Sequence, residues 1–294
     1  MTWFFLTITA VLFIVIETVL EKKTLFQARS LEFAALFAFS NALISIPLVF
    51  MADFAQINPF VIGIIFLASL PSAGASLLVF KTIKHNQLSE TAPILALMPL
   101  VVTIFAYIAL GEKMTGIQLL GVLLIVGGMI FLELKNFKLN CGIFREGRSK
   151  YVYYILLYLL IGGISAIFDR IILFRYQVNP LAYLVFIQFF IAVSYATFFA
   201  YRLYKRQITG EMKKDVKQSW KIIFFISLLT VAHRYMYASA IQVAASIGMV
   251  IAIYKMSSLF HVFTGGKFFA EDGIFRKVVA SVIILGGTIM LVIS

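Results

Sequence analysis

The chain has 294 residues, of which 62% are hydrophobic and only 13% charged, and its mean hydropathy is +1.00. Soluble domains carry about 45–50% apolar and about 25% charged residues, so these proportions exclude an ordinary soluble enzyme, a disordered chain and a nucleic-acid-binding module. The net charge of +12 is then read as a topology signal, because membrane proteins concentrate Lys and Arg in cytoplasmic loops.

A helix crosses the hydrocarbon layer with about 20 apolar residues, and ten such stretches follow one another. The first, 2–20, carries Glu17 near its end and runs into Glu21-Lys22-Lys23. It has no basic leader and no small-residue cleavage site, so it is expected to be a retained helix. The second, 33–52, contains Asn41 and Pro47, and the third, 59–80, contains Pro71. The fourth, 92–110, holds Pro93 and Pro99, and the fifth, 116–132, is rich in glycine. Spans six and seven, 151–174 and 181–201, contain Asp169, Arg170 and Gln188. The eighth, 222–241, carries a polar stripe of Ser227, Thr230, Arg234 and Tyr237, and the ninth, 244–263, has Lys255 near its middle. The tenth covers 278–293. An open sheet is excluded because unpaired strand edges are not tolerated in lipid. The runs are also too long, and too free of period-two alternation, for a barrel.

Twenty of the 25 Lys and Arg fall in the connections 1–2, 3–4, 5–6, 7–8 and 9–10, whereas the opposite connections hold only Lys113 and Arg175. The positive-inside rule places the first set in the cytoplasm and both termini outside. Three basic residues, Arg170, Arg234 and Lys255, remain inside spans.

The chain repeats itself. Glu21-Lys22-Lys23-Thr24-Leu25-Phe26 aligns with Asp169-Arg170-Ile171-Ile172-Leu173-Phe174 at an offset of 148. At an offset of 159, Glu112 meets Glu271, and Gly127-Gly128 meets Gly286-Gly287. An insertion in the basic loop around 202–220 accounts for the difference. Each copy holds five spans, and an odd number makes the second copy enter from the opposite side. Inverted repeats of this kind recur in secondary transporters, with the substrate site near mid-membrane. The expected layout is a first repeat at 1–134, a basic connection at 135–150 and an inverted second repeat at 151–294.

Leu110-Gly111-Glu112-Lys113, then Leu120-Gly121 and Gly127-Gly128, resembles the end of an EamA-type repeat, a Gly-Glu at a helix boundary before a final Gly-rich helix. Phe268-Phe269-Ala270-Glu271 with Gly286-Gly287 is similar to the second copy. The resemblance covers nearly the whole chain and implies the drug/metabolite transporter superfamily, an all-α fold of ten transmembrane helices in two inverted halves around a central cavity. One departure is that 53–58 contains no Lys or Arg, whereas many family members carry basic residues there. The chain's own charges therefore set the expected topology.

Gly121 and Gly128 lie two turns apart on one face and have Ala280 and Gly287 as repeat partners, which points to close helix packing. Glu112 and Glu271 precede spans five and ten, where a carboxylate suits a helix N-terminus. The four prolines inside spans are expected to kink them.

Charges inside the membrane cost at least about 2.5–3.5 kcal/mol and are functional candidates by default. Lys255 leads as a substrate ligand, with Ser258 on its face; Arg234 and Tyr237 share the stripe of span eight, and Asn41 is a further polar candidate. Related small multidrug transporters bind cation and proton with a glutamate in their first helix. That resemblance makes Glu17 a candidate for substrate binding and proton coupling. Asp169 and Arg170 are candidates to gate the outer mouth, and the lone His233 fits packing better than ligation. Two mid-membrane cations against at most one anion favour a substrate with a carboxylate or phosphate.

The sequence thus predicts a multi-pass transporter of the cell membrane that moves a small metabolite by alternating access, coupled to protons or to solute exchange. No Walker phosphate-binding loop is present, so nucleotide drive is not expected. Cys141 is the only cysteine and the histidines are scattered, so neither metal nor other cofactor is expected, and nucleic acid is not an expected partner. With both repeats in one chain, a monomer suffices. The alternative classes, a membrane enzyme on lipid-linked substrates or a non-transporting subunit, would require features such as a convergent catalytic set, which the scattered carboxylates do not form.

Overall fold

The computed structural model describes residues 2–25, 30–85, 95, 97–133, 149–204, 212–257 and 274–293. Within these, ten α-helices follow the ten predicted spans: α1 (Thr2–Leu25), α2 (Ser30–Ser45), α3 (Pro59–His85), α4 (Met98–Leu110), α5 (Gly116–Glu133), α6 (Ser149–Arg170), α7 (Pro180–Tyr204), α8 (Met212–Val243), α9 (Ile247–Lys255) and α10 (Ile274–Ile293). No strand occurs among the described residues. Six helices, α1, α2 (extended by the 3₁₀ turn Ile46–Phe50), α3, α6, α7 and α8, are long and apolar enough to cross a membrane. The apolar parts of α4, α5 and α10 are shorter. Large apolar side chains such as Phe5, Leu12, Phe60, Ile108 and Val282 stay exposed on the outer surface, as expected where lipid replaces water.

Local sequence explains the helix ends. Asn58 and Asn179 each precede a proline and accept backbone N–H bonds from Val61 (2.9 Å) and Leu181 (2.9 Å), which starts α3 and α7. Proline is suited to a first turn because its missing donor would be unpaired there anyway. Pro99 likewise sits in the first turn of α4 and Pro47 in that of the 3₁₀ turn. Only Pro71 lies inside a described helix. The expected set of kinks therefore reduces to one among the described residues, with Pro93 outside them.

Gly111 ends α4 in the left-handed region, φ 68°. The N–H groups of Gly111 and Glu112 return to Tyr107 O and Ala106 O, a left-handed (αL) stop that needs a residue free of a Cβ penalty. Thr115 and Gln118 then form a reciprocal capping box on α5, at 3.0 and 3.2 Å.

Packing brings distant helices together. α1 lies along α8, α3 along α6, α2 along α7, α4 along α9, and α5 along α10. α5 and α10 approach closely, as their glycines predict: a Cβ on Gly121 would lie 2.9 Å from Gly287 O, and one on Gly287 would lie 2.6 Å from Gly121 O. One apolar core joins α2, α3, α4, α6, α7, α8 and α9, and a second joins α5, α9 and α10.

Candidate functional site

A cavity of about 410 Å³ opens between these helices, within the usual range of small-molecule sites. α1 contributes Glu17 and Glu21, α6 contributes Tyr158, Ser165 and Asp169, and α7 contributes Tyr183. From α8 come His233, Arg234 and Tyr237, and from α9 Tyr254 and Lys255. Glu17, Arg234, Tyr237, Asp169 and Lys255, selected from sequence, are thus brought together. Ser258 lies outside the described residues.

The contacts differ in quality. His233 Nδ1 stands 2.6 Å from Glu17 Oε2. Arg234 donates to Gln188 Oε1 at 3.3 Å, and Lys255 Nζ reaches Tyr158 OH at 3.5 Å. Neither Arg234 nor Lys255 has a carboxylate in ion-pair contact among the described residues. Tyr183 OH donates to Asp169 Oδ1 at 2.5 Å. The rings of Tyr237 and Tyr254 lie 4.8 Å apart, with His233 on the far side of Tyr254 at 6.1 Å. On another wall, the Ser72 and Ser165 hydroxyls share a 2.7 Å bond between α3 and α6.

Arg170 turns away from the cavity. It is 1% exposed, although its neighbour Asp169 lines the cavity floor, as successive residues on a helix diverge by about 100°. Its Nε donates to Glu112 Oε1 at 2.5 Å. Its guanidinium also donates to Ile241 O and, at 3.0 Å, to Ala245 O at the end of α8, and stacks 3.7 Å over the Phe174 ring. Glu112 Oε2 accepts the Ile247 N–H at 3.2 Å, at the start of α9. A cation at a helix C-terminus and an anion at the next N-terminus are both favourable. The expectation that Glu112 serves its own following helix is corrected here. The Thr115–Gln118 box caps α5, and the turn at Gly111 presents Glu112 to α9 instead. A π-helical turn, Ile171–Arg175, follows Arg170 directly.

Asn41 is buried but does not line the cavity, and its Oδ1 has no hydrogen-bond partner among the described residues. The polar stripe of α8 divides likewise. Arg234 and Tyr237 reach the cavity, whereas Ser227 and Thr230 are buried away from it and Thr230 bonds back to Ile226 O at 2.9 Å.

Two lining residues, His233 and Glu21, are not among the sequence candidates. His233 lies 2.6 Å from Glu17, 216 positions away on α1. Glu21 lies just past the predicted span 2–20, yet α1 continues to Leu25 and buries it. The available signal was its i+4 relation to Glu17, which puts both on one face. Their inclusion changes the charge count. The described lining holds three carboxylates, Glu17, Glu21 and Asp169, with Arg234, Lys255 and His233. The excess of cations expected from sequence is not found.

Residues 1–134 match the EamA-like transporter family. No curated protein matches it. Among solved structures, one protein crystal structure superposes with a TM-score of 0.73 at 13% identity, over 98% of this chain and 95% of that one. At that identity the likeness speaks for the fold alone. With its apolar helices and this match over the first part, the chain is a multi-pass membrane protein, and among its described residues no group of three His, Cys, Asp or Glu is placed to hold a metal.

Proposed function

We propose that this EamA-like chain is a secondary active transporter that moves a small organic metabolite across the cell membrane by alternating access. The observation that carries the reading is the cavity itself. It lies between helices of both halves of the sequence and gathers nearly every charge placed inside the spans.

Two findings support inverted repeats behind it. First, exchanging each helix for the one five places along maps the packing onto itself: α1·α8 becomes α6·α3, α2·α8 becomes α7·α3, and α4·α6 becomes α9·α1, while α2·α7, α4·α9 and α5·α10 map onto themselves. Second, Glu21 and Asp169, paired by the sequence register, both line the cavity.

The basic connections place both termini outside. The cavity lining then reaches Glu21 and Phe80 towards the cytoplasmic ends of α1 and α3, and Asp169 and Tyr183 at the other end. The Arg170–Glu112 joint lies just beyond Asp169, so it closes the outer side and acts as a gate. Lys255, with one long polar contact, is the point where an anionic group of the solute binds, and Arg234, Tyr237 and Glu17 complete the site.

Counterflow in proteoliposomes tests this, using radiolabelled amino acids, nucleotides, sugars and organic acids. Saturable exchange of one class is expected. Chemical turnover of a lipid without exchange of any solute would sink the transporter reading.

A further inference from the structure

α4 and α6 run in the same direction and touch at two levels. A Cβ on Gly162 would lie 2.7 Å from Met98 Cε, and one on Gly163 would lie 2.9 Å from the Phe105 ring. Further along, Glu112 meets Arg170. Between these contacts a groove of about 320 Å³ opens between the two helices. Phe105, Ile108 and Ala109 of α4 line one side, and Ile164, Phe168 and Ile171 the other. Every lining residue is apolar. Ile108 is 73% exposed and Ile164 45%, so the groove opens on the outside of the helix bundle. It shares no lining residue with the central cavity.

The groove ends at Ile171, beside the Arg170–Glu112 joint, and two exposed cations flank that joint. Lys113 follows Glu112, and Arg175 follows Phe174, whose ring lies 3.7 Å from the Arg170 guanidinium. Neither Lys113 nor Arg175 is in an ion pair among the described residues. They are also the only Lys and Arg in the connections of that face. A single cation at a helix end is ordinary snorkelling. Here the whole basic complement of one face converges on the mouth of one apolar groove.

Size decides what can enter. From Ile164 to Ile171 the groove runs about 10 Å at 1.5 Å per residue, which lies within one half of the roughly 30 Å hydrocarbon layer. Its volume over that length gives a cross-section of about 30 Å², whereas a helix 10 Å across needs about 80 Å². A hydrocarbon chain fits, and a helix of a partner protein does not. Lys and Arg at the membrane surface attract anionic headgroups.

We infer that this groove binds one phospholipid with an anionic headgroup, its phosphate held by Lys113 and Arg175 and one acyl chain lying between α4 and α6. The site requires only that the chain sits in a membrane, and it is independent of what the central cavity carries.

Native mass spectrometry of the full chain in detergent tests it, with phosphatidylglycerol and phosphatidylcholine of identical acyl chains. Wild type should hold one phosphatidylglycerol at least tenfold more tightly than phosphatidylcholine. The double variant Lys113→Gln, Arg175→Gln should lose that preference, and Ala109→Trp, which fills the groove, should weaken both lipids. The double variant Lys213→Gln, Lys214→Gln, in a connection of the opposite face, should bind as wild type does. Equal binding of the two lipids by wild type, a preference kept without Lys113 and Arg175, or the same loss without Lys213 and Lys214 overturns the site. A second measurement needs no variant. In vesicles, phosphatidylglycerol carrying a diazirine at mid-chain should label residues 105–109 and 164–171 at least tenfold over the other apolar helix faces. Labelling spread evenly over the surface, or no labelling there because a second copy covers the groove, overturns the lipid site.

Discussion

Two cations within the predicted spans live very differently. Arg170 satisfies its guanidinium with a carboxylate, two carbonyls and an aromatic face. Among the described residues, Lys255 has a single hydroxyl at 3.5 Å. Burying a charge is costly unless it is paired and hydrogen-bonded. Arg170 meets that condition within the chain, so it can hold structure. Lys255 and Arg234 meet it poorly and face an open cavity, so their unmet capacity is available to a ligand. Arg170 is buried and satisfied, whereas Lys255 and Arg234 are half-buried and poorly satisfied, and that difference separates a joint from a site.

The largest expected effect breaks the joint. Arg170→Met leaves the half-buried Glu112 without its partner and should cost up to about 3–5 kcal/mol of unfolding stability in detergent. Glu112→Leu should cost a similar amount. The double variant should recover most of the loss, because an apolar replacement of a whole buried pair is often neutral. Strictly additive losses would show that the two residues do not act as one unit.

Lys255→Ala should do the reverse. Its weak contact predicts a stability change of no more than about 1 kcal/mol. Solute affinity, read as ligand-induced thermal stabilisation against the metabolite panel, should fall tenfold or more, since a charge-assisted hydrogen bond contributes about 1.5–3 kcal/mol. A variant that loses stability yet binds solute normally would invert the comparison.

Much of this was legible in the sequence, for identifiable reasons. Hydropathy located a helix in every predicted span, because long apolar runs are local signals. The close approach of α5 and α10 was visible as Gly121, Gly128 and Gly287 on matching faces. What escaped was pairing across the chain. Nothing near His233 announces Glu17, and nothing near Glu112 announces Arg170 or the start of α9. A local signal was overlooked in the second case: Thr115-x-x-Gln118 already caps α5 and leaves Glu112 free. The charge balance differs from expectation because α1 runs past the predicted span 2–20 and carries Glu21 into the lining.

A smaller effect concerns the joint's repeat counterpart. The two registers equate Arg170 with Lys22 and Glu112 with Glu271; the side chains of Lys22 and Glu271 lie outside the described residues. Under the proposed inverted repeat, these two positions would be the counterparts that close the opposite side when the outer joint opens. Lys22→Glu and Glu271→Lys should each slow exchange, and the swapped double variant should restore it with a coupling of about 0.5–3 kcal/mol. Additive single effects would count against the inverted repeat as the basis of the cycle.

The smallest effect is expected at Asn41, and it sharpens the comparison most. Asn41 Oδ1 is buried and unpartnered among the described residues, so by satisfaction alone it ranks with Lys255. It differs in lying off the cavity. If an unmet polar group marks a binding point only where a solute can reach it, Asn41→Leu should leave solute affinity unchanged. It should also cost little stability, because replacing an unsatisfied buried polar group by an apolar one of similar volume removes a desolvation penalty. A tenfold loss of affinity in Asn41→Leu would mean that α2 reaches the solute in another conformation of the cycle, and that this cavity is only part of the pathway.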